Sequence, residues 1–239
     1  MTRYFLFLLL IIPCSKSLGQ EITGKQLLDK AIQHHDPKGN WKSFKGMLEV
    51  TMTTPDEKQR ISTIQIDLPE RFFTLSYAQD KNSLVLSVQK NDCTLSFNGS
   101  TSIPNEAIEK YKLTCDRAKR MRDYYTYLYG LPMKLTDSGT IIDPKVERKT
   151  FKGKEYLVLK ATYEKEVGRD IWYFYFDPKT YAMEVYQFFH DEAKNDGEYI
   201  LLSDQETISK IKMPKTRAWY FNKDDKYLGT DVLTKISSF

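Results

Sequence analysis

The chain has 239 residues, with 36 Lys and Arg against 32 Asp and Glu, and its net charge of +4 is too even for a protein whose partner is a polyanion. A hydrophobic fraction of 41% beside 28% charged residues excludes disordered and low-complexity classes and suits a folded chain with a sizeable core. Three His and three Cys leave little room for a zinc cluster or a disulfide-dense scaffold.

Residues 1–19 read as an export signal. Arg3 gives a basic start and residues 4–12 an unbroken apolar run, shorter than the roughly 20 residues a membrane span needs. Ser17-Leu18-Gly19 puts small residues at the −3 and −1 positions of a cleavage site before Gln20. Cys14 follows the apolar run as a lipoprotein cysteine would, but Pro13 stands where such a signal wants a small residue, so a lipid anchor is set aside. Residues 20–239 hold no internal repeat, no low-complexity linker and no apolar run long enough to cross a bilayer, and read as one exported, periplasmic domain. Cleavage removes Arg3 and Lys16 and no acid, which leaves +2 and no case for nucleic acid as a partner.

The first predicted element of that domain is a helix. Thr23 and Gln26 have the spacing of a capping box, and Leu27, Leu28, Ala31, Ile32 and His35 share one face before Asp36-Pro37 ends it. Short strands follow at 44–54, 59–68, 71–78, 83–89 and 93–97, divided by Pro, Asp, Asn or Gly, with connections short enough to make neighbours antiparallel. Two helices occupy the middle, at 104–111 and from an N-cap at Thr114 to Tyr129, with Gly130 at the left-handed C′ position. Ala118, Met121, Tyr125 and Leu128 form the buried stripe of the second. A looser stretch runs from 131 to 149, and six more strands are expected at 155–163, 170–176, 181–190, 198–202, 211–222 and 227–236. The fold class is therefore α+β and mainly β, with about eleven antiparallel strands.

Asp177-Pro178-Lys179-Thr180 is a four-residue hairpin loop with Pro at the second turn position. That length would set Phe176 opposite Tyr181, Phe174 opposite Met183 and Trp172 opposite Val185, all on one apolar face. Cys93 and Cys115 form an even pair in an exported chain. A disulfide between them would stabilise by about 3 kcal/mol on a chain-entropy estimate, and two buried thiols are the alternative.

Catalytic patterns are scarce. The chain contains no G-x-S-x-G elbow, no P-loop and no G-x-G-x-x-G. His34-His35-Asp36 and His190-Asp191-Glu192 lack the i, i+4 spacing of two metal-binding imidazoles and read as solvated element ends. Asp224-Asp225 with Asp231 is out of step with a calcium loop, and Glu164 with Glu166 reads as a polar strand end. No cofactor, metal ligand or catalytic residue is assigned. The segment 112–129 is basic and rich in tyrosine; Arg117, Arg120, Tyr124 and Tyr127 form a face that could meet a lipid headgroup or an envelope protein, or could simply be solvated.

Several stretches resemble the LolA/LolB superfamily of periplasmic lipoprotein carriers. These are the export signal and N-terminal helix, the strand opening at Phe44-Lys45-Gly46, and the element Leu68-Pro69-Glu70-Arg71-Phe72. The middle helices, the Asp177-Pro178 hairpin and Ile211-Lys212-Met213-Pro214 also fit. The likeness is strongest to a family of uncharacterised exported proteins of Gram-negative bacteria, through residues 124–133 (YYTYLYGLPM) and 172–184 (WYFYFDPKTYAME). The resemblance implies a single curved antiparallel sheet, an incomplete barrel whose concave apolar face is lidded by the helices and accepts acyl chains, with Arg71 at a position of the family's strand pattern. The expected function is non-catalytic binding of a lipid or another hydrophobic ligand against Trp172, Phe174, Phe176, Met183 and Val185. A filled barrel acting as an envelope scaffold or docking module is the alternative, and a hydrolase-type enzyme comes third.

Overall fold

The computed structural model describes residues 21–238. The expected export signal and Cys14 lie outside the described residues.

Helix α1 (Gly24–His35) is followed by five strands, β1 (Lys45–Thr53), β2 (Gln59–Asp67), β3 (Phe72–Gln79), β4 (Asn82–Gln89) and β5 (Asp92–Phe97). Then come α2 (Asn105–Tyr111) and α3 (Cys115–Gly130). The chain ends with β6 (Thr140–Phe151), β7 (Lys154–Tyr163), β8 (Ile171–Phe176), β9 (Met183–Phe189), β10 (Glu198–Ile208), β11 (Ile211–Phe221) and β12 (Tyr227–Ser237). All twelve strands form one antiparallel sheet in the order β5-β4-β3-β2-β1-β12-β11-β10-β9-β8-β7-β6. The first and last strands pair at its middle, Thr51 opposite Val232. Because β5 and β6 are free edges, the sheet is an unclosed barrel.

The expected strand count is one too low. β6 lies in the stretch read as loose, and it was hidden because it is an edge strand with little to bury. Asp143, Pro144 and Lys145 interrupt its apolar alternation, and the register against β7 shifts between Ile142 and Val146 to accommodate the proline. β10 also runs on to Ile208 through a polar stretch, and its pairing with β11 skips Asp204, whose φ is +55°.

One face of the sheet and the three helices share a continuous apolar cluster that includes Leu27, Leu48, Ile64, Phe73, Leu86, Leu128, Phe174, Phe176 and Ile211. Helix α1 opens with the expected capping box, Thr23 N donating to Gln26 Oε1 at 2.9 Å and Gln26 N to Thr23 Oγ1 at 3.3 Å. Helix α3 is N-capped by Thr114 as expected and held to β5 by the Cys93–Cys115 disulfide, with Cα atoms 5.7 Å apart. Gly130 departs from its expected role. It is the last helical residue and needs no left-handed backbone; a Cβ there would lie 2.4 Å from the Trp41 ring, so close packing explains the glycine.

The β8–β9 hairpin differs from its expected register. Asp177 Oδ1 accepts the amides of Lys179 and Thr180, Tyr181 turns at φ +61°, and Phe176 pairs with Met183 rather than Tyr181. With a bulge at Tyr175/Phe176, Phe174 faces Tyr186 and Trp172 faces Phe188. Val185 pairs with Tyr175 instead and packs on the outer face with Tyr156, Val158 and Tyr173. That outer cluster is roofed by lysine stems, Lys149 Nζ standing 4.7 Å and Lys160 Nζ 5.3 Å from the Tyr173 ring.

Candidate functional site

The concave face is covered unevenly, and the cause is where the two longer helices sit. Helix α1 packs on β6, β7 and β11, while α3 packs on β3, β4 and β5 and reaches across to β8 and β11 through Tyr127 and Leu128. Beneath this cover Phe174, Phe176 and Met183 are 0%, 0% and 2% exposed. His35, the last residue of α1, is also wholly buried, a correction to its reading as a solvated end. It can be buried because both ring nitrogens are used. Nε2 accepts the Met183 amide at 3.0 Å, and Nδ1–H donates to the Lys212 carbonyl at 2.9 Å. Burial pushes its pKa down to about 4, with the Lys212 carbonyl opposing, so the ring is neutral at pH 7. His190 is exposed and paired with Asp170 at 2.7 Å.

Past α3 the same face is open. Cross-strand neighbours Trp172 and Phe188 are half-buried, with ring centroids 4.9 Å apart, and Trp219 stands edge-on to Tyr186 at 6.3 Å. Tyr127 meets Trp172 at 5.5 Å and shares a hydrogen bond with the Tyr163 hydroxyl. Tyr124 is 39% exposed. A cleft of about 440 Å³ opens beside Tyr124, Thr126, Tyr127, Tyr163 and Val167. A larger cleft of about 560 Å³ between Ile22, Val146, Leu157 and Tyr181 borders Glu21, and its guanidinium, Arg148, is already paired with Glu155 at 2.8 Å.

Charged side chains continue this face, Arg217 buried beneath α3 and Asp231 and Arg60 half-buried beyond it. Arg217 of β11 faces Asp231 of β12, Asp231 faces Met52 of β1, and Met52 faces Arg60 of β2, so one cross-strand row carries two guanidiniums and a carboxylate on the same face. Arg217 is 1% exposed and lies 4.1 Å from the Tyr129 ring, with Nη1 donating to Pro214 O at 3.0 Å and Nη2 to Leu128 O at 3.5 Å. Arg60 lies over Tyr77 at 5.4 Å, and the Tyr77 hydroxyl accepts from Arg117 at 3.0 Å. Burial raises the Asp231 carboxyl above its ordinary range, opposed by Arg217, Arg60 and a hydrogen bond with Trp219. Burial also raises the phenols of Tyr129 and Tyr186, with Arg217 opposing.

Of the expected ligand wall, only Trp172 borders the open region; Phe174, Phe176 and Met183 lie in the packed core and Val185 on the outer face. The expected basic surface is dispersed as well. Arg117 is drawn inward by Tyr77 and the Tyr111 carbonyl, Tyr127 is tied to Tyr163, and Tyr124 and Arg120 remain exposed. Arg71 sits exposed on the β2–β3 turn, against Asn91 at 3.3 Å. Asp224 and Asp225 lie in the β11–β12 turn, where Asp225 pairs with Lys152 at 2.8 Å. Among the described residues no group of three or more His, Cys, Asp or Glu could hold a metal ion, and no helix is long and apolar enough to cross a membrane. Sequence reasoning missed Arg60, Arg217 and Trp219. The available signal was the inward register of β11, where Ile211, Met213 and Trp219 point into the sheet and an arginine shares their phase.

A family model described as a family of unknown function (DUF6503) matches residues 2–236. No curated protein matches the chain. Among solved structures, a LolA superfamily protein from Nitrosomonas europaea aligns with a TM-score of 0.53 at 10% identity, over 92% of this chain and 94% of that one. A putative outer membrane lipoprotein-sorting protein domain from Vibrio parahaemolyticus aligns with a TM-score of 0.52 at 9% identity, over 90% and 93%. At these identities the likeness establishes a LolA-like fold and nothing of activity.

Proposed function

The chain belongs to the DUF6503 family, and we propose that it is an exported, periplasmic, non-catalytic binding protein that takes a lipid or another hydrophobic ligand onto the open part of its concave face. The observation that carries this reading is the set of half-buried aromatics, Trp172, Phe188 and Trp219, on the inner face of an unclosed sheet beside the exposed edge of Tyr124. Aromatic surface partly withdrawn from water, with a few polar groups converging on it, suits an apolar ligand. One relative in fold, from Vibrio parahaemolyticus, is a putative outer membrane lipoprotein-sorting protein domain, which supports a carrier role.

Two features favour binding over catalysis. The His35 ring is fully engaged by backbone groups, and the phenols near Arg217 are held protonated by burial, so neither supplies a base or nucleophile at neutral pH. A docking role for the tyrosine-rich helix loses support because Arg117 and Tyr127 are committed to internal partners.

The test is titration with a dansyl-labelled fatty acid, read by energy transfer from tryptophan. Saturable uptake near one equivalent is expected, weakened about tenfold by Trp172→Ala through loss of aromatic contact. Absence of transfer at micromolar protein, or uptake unchanged in both Trp172→Ala and Trp219→Ala, would contradict the reading.

A further inference from the structure

Among the described residues, three buried side-chain polar atoms have no hydrogen-bond partner: Arg60 Nε, Tyr186 Oη and Arg217 Nε. They are not scattered. Arg217 and Arg60 flank Asp231 along one cross-strand row, and Tyr186 lies beside Trp219 on β11, two residues along from Arg217. Buried polar atoms are rarely left unpaired, because each forfeits its solvation without a compensating bond. Arg217 and Tyr186 lie close enough to act on each other, yet Arg217 Nε, Tyr186 Oη and Arg60 Nε all lack a well-formed partner, which points to a group that enters from outside the chain.

Charge identifies that group. Two guanidiniums face one carboxylate, so the row carries one uncompensated positive charge in a region largely withdrawn from water. Arg117, bonded to the hydroxyl of the same Tyr77 that Arg60 lies over, adds to it. An uncompensated charge withdrawn from water is unfavourable, and a bound anion relieves it. Nη1 and Nη2 of Arg217 are held by the carbonyls of Pro214 and Leu128, and stacking on Tyr129 fixes the guanidinium plane. The site is thus built before any ligand arrives. Arg217 and Tyr186 are buried at its floor, while Asp231, Arg60 and Trp219 are half-buried and Tyr124 is exposed, so the site borders solvent on that side.

We infer that the ligand is a monoanionic amphiphile, its carboxylate or phosphodiester head received between Arg60 and Arg217 beside Tyr186 and its apolar chain laid along Trp219, Trp172 and Phe188. The inference rests on the hydrophobic-ligand reading above and names the class of molecule that reading leaves open. Asp231 then acts as a selector. It leaves room for a single negative charge and repels a dianion.

The experiment compares oleate, dioleoyl phosphatidylglycerol and the neutral oleyl alcohol, each displacing the dansyl probe from the full mature chain. At least one anion should bind about tenfold or more tightly than the alcohol, as expected for a charge-assisted contact; the tighter of the two tells a carboxylate from a phosphodiester. Arg60→Gln, at a half-buried position, should cost about tenfold for the anion and leave the alcohol unchanged. Asp231→Asn should act oppositely and tighten the anion, an outcome that a merely structural role does not produce. Equal affinity for anion and alcohol, or equal losses for both in Arg60→Gln, overturns the head assignment while the hydrophobic site stands. Failure of all three to displace a bound probe overturns both.

Discussion

Strand β8 passes from the closed part of the concave face to the open part within a few residues. Phe174 and Phe176 lie under the helices at 0% exposure, whereas Trp172, two residues before Phe174 and on the same face, is half-buried and meets Tyr127 near the end of α3. Both regions are aromatic and drawn from the same strands. What separates them is cover. On one side α1 and α3 supply Leu27, Leu28, Ala31 and Leu128 to fill the curve of the sheet; on the other the sheet extends past α3 and meets charged and phenolic side chains. An unclosed sheet can thus hold a packed core and a receptive surface on one face, and burial of an aromatic alone does not tell which.

That contrast can be broken by mutation, and the largest effect should fall on the closed side. Phe174→Ala removes a wholly buried ring and should cost about 3–5 kcal/mol in urea unfolding, while the fraction that remains folded takes up the dansyl probe as before. A small stability loss together with lost uptake would place the ligand beneath the helices, against Phe174 itself.

Next in size is an acid effect. The pKa of His35 is about 4 in the folded chain and 6.5 ordinarily, so between those values the unfolded chain binds more protons. The stability this group contributes is complete above about pH 6.5 and is lost as pH falls toward 4, by roughly 3 kcal/mol in all. His35→Gln should flatten that part of the stability profile, although it is less stable at pH 7 because an imidazole pairs with both Met183 N and Lys212 O. An unchanged slope in the variant would mean that His35 is not the group responsible. The smallest effect belongs to Arg120, exposed on α3. Arg120→Gln should shift stability by no more than about 0.5 kcal/mol and leave ligand uptake unaltered, and a clear loss of uptake would restore the basic helix face as a working surface.

Much of the fold was legible from local pattern. The Thr23–Gln26 box, the Thr114 cap and eleven of the strands follow from spacing, because each is decided by contacts within a few residues. β6 was not legible, since an edge strand with Asp143-Pro144-Lys145 in it has no alternation to read. The hairpin register was off because a bulge at Tyr175/Phe176 and the left-handed Tyr181 lengthen the loop, which sends Val185 to the outer face. The candidate site was barely legible. Arg217 and Asp231 face each other within the β11–β12 hairpin, but Arg60 lies far from both in sequence and joins them only because β12 returns to pair with β1 at the middle of the sheet. The helical spacing puts His35 on the apolar face of α1, but its backbone partners come from residues 183 and 212.

The most direct test of the central claim, that the open part of the concave face holds an apolar ligand, is native mass spectrometry of the protein purified from the envelope of the cells that make it, followed by denaturing extraction. The account predicts an added mass near one equivalent that extraction releases as a singly charged, acyl-bearing anion, with occupancy reduced in Trp172→Ala. A bare chain that also fails to take up added oleate would contradict it.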